Sequence, residues 1–227
     1  MSSPQLPLSL RTPPDQRLDA FHGAPELRAL VGAVARGERA DWLYLDGPAG
    51  SGKTHLLLAA CAEATANARR AAYLPLAAFA GRLGDALAAQ EGADLVCLDG
   101  LEHIAGQATD EESLFHFHNR ARAGQAVVMY AARANPASLG LGLPDLATRL
   151  GQCTRVVLAP LDETGRRDVL RQRAARRGLV LDDAVMDYLM RRTDRDLASL
   201  GALLDRLDKA SLAAQRRITI PFLRNHL

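Results

Sequence analysis

The sequence predicts an α/β domain with a parallel sheet, followed by a small all-helical domain, and three observations carry that prediction. Short apolar runs of strand length alternate with helical patterns as far as Pro160. A glycine-rich loop separates the first of these runs from the first long helix. Beyond Pro160 the strand-like runs stop while helical spacing continues. Strands alternating with helices imply parallel strands covered on both faces, because each crossover lays a helix on the sheet. The expected division is residues 1–19 as a flexible tail, 20–160 as the α/β domain and 161–227 as the helical domain.

Taken in order, the tail contains Pro4, Pro7, Pro13 and Pro14 and little periodicity, which predicts an extended, mobile segment. Within it Gln5-Leu6-Pro7-Leu8-Ser9-Leu10 spaces leucines as a short linear motif does when it docks in an apolar pocket. Leucines that pack on their own domain are the other reading. Phe21-His22-Gly23 then leads into an amphipathic helix over Glu26–Val34. Trp42–Leu45 is the first strand, and His55–Ala66 is a helix. Ala72–Leu74 is a short strand, Leu76–Ala89 a helix, and Asp94–Asp99 a strand. Ser113–Ala123 is a helix, Ala126–Ala131 a strand, Leu143–Leu150 a short helix and Arg155–Leu158 the last strand. Helical spacing then covers Asp162–Arg177, Asp183–Arg192 and Leu197–Ala214, with Asp162 and Asp182 placed as N-terminal caps.

Between the first strand and its helix stands Gly47-Pro48-Ala49-Gly50-Ser51-Gly52-Lys53-Thr54, which satisfies G-x-x-x-x-G-K-[ST] at every fixed position. Glycines let the backbone turn tightly and present N–H groups to phosphate oxygens. The helix N-terminus adds partial positive charge. Lys53 is placed to reach the β- and γ-phosphates, and Thr54 to ligate Mg²⁺. Asp99 ends an apolar strand, where the second acid of such a site holds the metal's shell. A plain turn aspartate is the bland alternative.

Composition narrows the classes further. At 48% hydrophobic, 24% charged and net charge +2, the chain has no electrostatic demand for a nucleic-acid or membrane partner. Cys61, Cys97 and Cys153 fit neither a disulfide framework nor zinc spacing, so a reducing, cytoplasmic compartment is expected. No run approaches the roughly 18 apolar residues of a membrane span. His116 and His118, two apart on a helix, face different directions and share no metal.

The phosphate loop, the Asp99 strand and the helical end together resemble the AAA+ ATPases. Leu141–Leu150 and Gln215–Phe222 are similar to stretches of the DnaA-like AAA+ family, and most of all to its Hda-type regulatory inactivators. The fold class so implied is an AAA+ P-loop NTPase domain with a small helical lid. The resemblance implies ADP or ATP with Mg²⁺ as ligands, Arg149 as an arginine finger, and Arg195 as the lid arginine that senses phosphate. It places Phe21, His22 and Gly23 at the adenine and likens Gln5, Leu6, Leu8 and Leu10 to a motif that binds the DNA polymerase III sliding clamp. Partners so implied are DnaA, the clamp, DNA through the clamp, and a homodimer as an option, with no membrane. A solvated Arg149 and an Arg195 paired with Asp194 or Asp196 are the alternatives.

Two positions depart from the family. Gly100 stands where an active site has a second acid, and Ala131-Ala132-Arg133 stands where a polar strand end is usual. Glu102 is expected to point elsewhere. The resemblance therefore implies tight nucleotide binding with weak or no hydrolysis of its own. The sequence ends at Leu227 without a helix-turn-helix segment after the lid, so the expectation is a regulator rather than an initiator. An independent ATPase, or an adaptor acting by contact alone, remains open.

Overall fold

The computed structural model of the chain describes residues 16–192, 203–204, 206–208, 210 and 218–224. Five strands form one parallel sheet: β1 (Leu43–Asp46), β2 (Ala71–Pro75), β3 (Leu95–Asp99), β4 (Val127–Ala132) and β5 (Thr154–Val157). Their spatial order is β2-β3-β4-β1-β5. Helices α1 (Pro25–Arg36), α2 (Lys53–Ala66), α3 (Leu83–Ala88), α4 (Ala108–Ala123) and α5 (Pro144–Gly151) accompany the sheet. Helices α6 (Glu163–Arg176), α7 (Asp183–Arg192) and α8 (Ile220–Arg224) follow, with no further strand among the described residues.

The apolar runs are strands because both of their faces are covered. Leu43, Tyr44 and Leu45 of β1 and Val128 to Ala132 of β4 are wholly buried. A central parallel strand needs that continuous apolarity. β5, at the edge, has mostly exposed residues and pairs with β1 from Leu43↔Thr154 to Asp46↔Val157. The chain leaves β1 for one edge of the sheet, returns through β3 and β4, and ends on the other side of β1. That reversal opens a crevice beyond the carboxyl ends of the strands, the usual ligand site of open α/β sheets.

Local chemistry fixes the helix ends. Pro25 opens α1, where a missing N–H is harmless, and Gly37 closes it at φ 79°. Asp162 caps α6 by accepting from the Gly165 N–H at 2.7 Å, and Asp182 accepts from the Val185 N–H at 2.8 Å. Both predicted acidic caps are therefore in place.

Two expected helices differ. The pattern read as Leu76–Ala89 is a 3-10 turn, Leu76–Ala78, followed by α3 from Leu83. Gly81 at φ 81° interrupts it, with its N–H bonded to the buried Asp110 carboxylate at 2.6 Å. α4 begins at Ala108 rather than Ser113. Its first turn looks polar, yet Asp110 and Glu111 are buried there as anchors for neighbouring loops.

Buried side chains fall into two clusters, one running from Phe21 to Leu158 and the other from Leu170 to Leu223. The second contains Leu203, Leu204 and Leu207, which fall within the expected Leu197–Ala214 helix and are core residues. No helix among the described residues is long and apolar enough to cross a membrane.

Candidate functional site: a phosphate loop at the carboxyl edge of the sheet

β1 runs into the loop at Asp46, and α2 begins at Lys53, so the sequence places strand, glycine loop and helix in direct succession. Gly50 and Gly52 both lie in the left-handed region, at φ 77° and 94°. Only glycine enters that region without strain, and it turns successive N–H groups towards one concavity. Asp46, almost buried, anchors the strand end through both carboxylate oxygens on Arg155 at 3.0 and 2.8 Å.

The Lys53 ammonium donates to the Gly47 carbonyl at 2.5 Å, the Pro48 carbonyl at 2.8 Å and the Ser51 hydroxyl at 3.3 Å. The loop thus holds its cation in place. Burial is the largest influence on Lys53 and lowers its pKa. Among the charges that oppose this, Glu102 comes first and Asp99 second.

Thr54 and Asp99 come together as the motif predicts. The Thr54 hydroxyl donates to Asp99 Oδ2 at 2.6 Å. A second donor was not foreseen: the Tyr73 hydroxyl reaches the same Oδ2 at 2.8 Å. β2 pairs with β3 so that Tyr73 lies opposite Cys97 and Pro75 opposite Asp99. Burial and the adjoining carboxylate both push the Tyr73 phenol's pKa up, so it stays a donor. A tyrosine in Ala72-Tyr73-Leu74 reads as one more core aromatic, and only the strand order reveals its neighbour. A hydroxyl and a carboxylate at the loop's helix end are a hard-oxygen pair suited to Mg²⁺.

Glu102 corrects the sequence reading. Gly100, at φ 87°, reverses the chain into a 3-10 turn over Leu101–His103. That turn brings Glu102 back across the end of β4, where it accepts from the Arg133 N–H at 3.2 Å and pairs with Arg133 Nε at 3.0 Å. The end of β4 is tied to the phosphate loop by the Gly47 N–H, which donates to the Ala132 carbonyl at 3.3 Å. Glu102 does not point away from the site.

Phe21 and His22 lie beside the loop, and Gly23 lies against the Phe21 ring. Phe21 and His22 line a small cavity with Gly50, Ser51, Gly52, His55 and the α6 residues Val169 and Arg173. Phe21 is 7% exposed, and its ring lies 5.7 Å from that of His55. The structure thus gathers loop, N-terminal segment and first lid helix around one cavity.

Arg149 is elsewhere. It is exposed on α5, which leads into β5 at Thr154, opposite Leu43 at the amino end of β1. The phosphate loop follows the carboxyl end of the same strand, a strand length of about 13 Å away. Arg149 and Arg122 are the charges that act on His118, whose ring packs 4.6 Å from Trp42, the residue before β1. Arg149 has no ion pair among the described residues. Arg195, Gln5, Leu6, Leu8 and Leu10 lie outside the described residues. His118 itself is buried and bonds through Nδ1 to the Tyr130 hydroxyl at 2.9 Å, a core role. No group of histidine, cysteine and acid with metal-holding geometry occurs among the described residues.

These features define the class: an AAA+ fold, with a P-loop α/β domain and a helical lid. Residues 162–227 match the family model described as Hda, lid domain. The whole fold is similar to domain III of the Thermotoga maritima replication initiation protein DnaA, with TM-score 0.77 and 19% identity over 95% of this chain and 96% of that one. It is also similar to AMPPCP-bound DnaA from Aquifex aeolicus (TM-score 0.70, 22% identity, 88% of this chain and 67% of that one). The Thermotoga maritima RuvB Holliday junction branch migration motor has TM-score 0.65 and 19% identity over 93% of this chain and 70% of that one. More particularly, then, the lid segment is similar to the Hda lid domain and the fold to that of DnaA domain III.

Proposed function

We propose that this chain is a regulatory inactivator of DnaA, a nucleotide-loaded protein that stimulates hydrolysis of the ATP bound to DnaA and limits re-initiation. The observation that carries this reading is the position of Arg149. It sits at the amino edge of the sheet, whereas the chain's own phosphate loop caps the carboxyl edge. An arginine so placed serves no nucleotide in its own site and is available to a site on a facing molecule. The Hda match of the lid segment and the DnaA-like fold point to DnaA as that molecule.

Gly47, Pro48, Ala49, Gly50, Ser51 and Gly52 would form the loop that cradles the phosphates of ADP or ATP, with the backbone N–H groups of Ala49, Gly50 and Gly52 as donors, and Lys53 would exchange its loop carbonyls for phosphate oxygens. Thr54 and Asp99 would hold Mg²⁺, which neutralises phosphate charge when bound. Phe21, His22 and Gly23 would meet the adenine beside α6, and Arg195 would reach in from the lid. Gly100 leaves the position of a second acid without a side chain, which supports a site that retains nucleotide rather than turning it over. Bound nucleotide would then lock lid and core into the shape that docks on DnaA. Arg149 would enter the DnaA site and stabilise charge developing on the transferred phosphoryl, an effect worth roughly 10³–10⁵-fold in other systems. Gln5, Leu6, Leu8 and Leu10 would tether the protein to the DNA polymerase III clamp, so that DNA is met through the clamp. The action is cytoplasmic.

The test is hydrolysis of ATP pre-bound to DnaA in the presence of DNA-loaded clamp, comparing the intact chain with one lacking residues 5–10. Stimulation that needs the tail is the expected result. Steady ATP turnover by this protein without DnaA would replace the proposal with an independent ATPase.

A further inference from the structure

The amino edge of the sheet carries, besides Arg149, a second arginine to which the proposed function gives no role. Arg122 is exposed in the last turn of α4, with its guanidinium over the Trp42 ring, 5.1 Å from the centroid. Trp42 is a firm platform. It is 5% exposed, stands directly before β1 and packs against the rings of His118 and Tyr130. Its carbonyl accepts from the Thr154 N–H at 2.8 Å, so the stack lies where the chain leaves α5 and enters β5. Arg149 is in the last turn of that same α5, and both arginines act on the buried His118. Charge pairing sets the two apart. Arg39 pairs with Asp41 at 2.7 Å, Arg120 with Glu91 at 3.5 Å and Arg155 with Asp46 at 2.8 Å. Asp94, just before β3, is engaged by the Arg70 N–H at 2.7 Å. Neither Arg122 nor Arg149 has an acid partner among the described residues.

We infer that Arg122, braced on Trp42, is a docking cation that takes a carboxylate side chain on the facing DnaA molecule, beside the entry point of Arg149. This deepens the reading of Arg149 given above and rests on it. Two uncompensated cations on one edge raise its positive potential, and an arriving anion relieves it. A guanidinium stacked by its face keeps its N–H edge free, and that planar edge matches the two oxygens of a carboxylate. The stack also decides which role Arg122 takes. Arg149 stands exposed on a helix surface and can extend into a partner's site. Arg122 is held against a ring at the sheet edge, so it meets only what a partner presents at its own surface. It therefore contributes to association and not to the charge on the transferred phosphoryl. Because the platform already orders the side chain, less freedom is lost when the pair forms.

Docking and chemistry separate in the concentration dependence of the stimulated reaction. Single-turnover hydrolysis of DnaA-bound ATP with DNA-loaded clamp, followed over a range of concentrations of this protein, gives a maximal rate and a half-saturating concentration. Arg122→Gln should raise the half-saturating concentration about tenfold and leave the maximal rate within about twofold. Arg122→Glu sets like charges against each other and should raise it about a hundredfold or more. Added salt should weaken the wild type more than Arg122→Gln, since the variant has lost the screened pair. Thermal melts followed by the emission of Trp42, the chain's only tryptophan, verify that each variant folds. An unchanged half-saturating concentration in Arg122→Gln, or a fall in its maximal rate alone, would overturn the inference while leaving the role of Arg149 standing. Failure of the wild type to stimulate DnaA at any concentration would overturn that reading and this inference together.

Discussion

Tyr73 is the residue that most changes the picture of the site. Its hydroxyl and that of Thr54 share one oxygen of Asp99, which holds the carboxylate in place. Tyr73→Phe removes that donor and little volume. It should weaken the Mg²⁺-dependent part of ADP affinity about fivefold and leave binding in EDTA unchanged, as titration with and without Mg²⁺ would show. His118 supports a prediction about pH. Burial, with Arg122 and then Arg149 adding repulsion, lowers its pKa to about 4. The unfolded imidazole titrates near 6.5, so the unfolded chain takes up the proton first as pH falls. Stability should therefore drop between pH 7 and pH 4, by about 2 kcal/mol at pH 5. His118→Gln should flatten that part of the profile in urea melts at pH 7 and pH 5.

Helix α5 carries Arg149, and what aims it is Glu111 on α4. The Glu111 carboxylate is 1% exposed and accepts from the N–H groups of Gly106 at 2.6 Å, Gly142 at 3.0 Å and Leu143 at 2.7 Å. It thus binds the loop that starts α5, while Leu146 and Leu150 bury the helix against the core. Glu111→Ala leaves three part-buried donors without their acceptor and should cost about 2 kcal/mol by chemical denaturation. In a variant still folded at the assay temperature, the proposed activation of DnaA should fall, although the substitution is not at Arg149 itself. The helix itself was legible: Leu143–Leu150 has helical spacing, and the structure begins it one residue later. Its anchor was not, because Asp110 and Glu111 look like solvated first-turn acids until distant loops fold onto them. The same holds across the site. Lys53, Thr54 and Asp99 were readable because a short-range motif and a strand end determine their places. Tyr73 and Glu102 were not, since the first acts through strand pairing and the second through a reversal at Gly100. Local spacing placed the cradle, and long-range pairing decided what surrounds it.

At the scale of the whole molecule, the phosphate loop and Arg149 occupy opposite edges of one sheet. A protein that binds nucleotide at one edge and offers an arginine at the other is suited to stacking on a related AAA+ protein. Nucleotide would then act on the relation of lid to core, because Phe21, His22, Val169 and Arg173 meet around one cavity. Lys53→Ala should abolish ADP binding by titration and leave the sheet core intact, so the far-UV spectrum should be unchanged. Its loss of DnaA activation would then report docking rather than folding.

The most direct test is a single-turnover assay of DnaA-bound ATP with DNA-loaded clamp, comparing wild type with Arg149→Ala. The variant should retain ADP binding and its association with the clamp, yet lose roughly 10³-fold or more of the stimulated hydrolysis rate, the lower end of what a finger arginine supplies. Undiminished stimulation by Arg149→Ala would contradict the account, because the chain would then act on DnaA by contact alone.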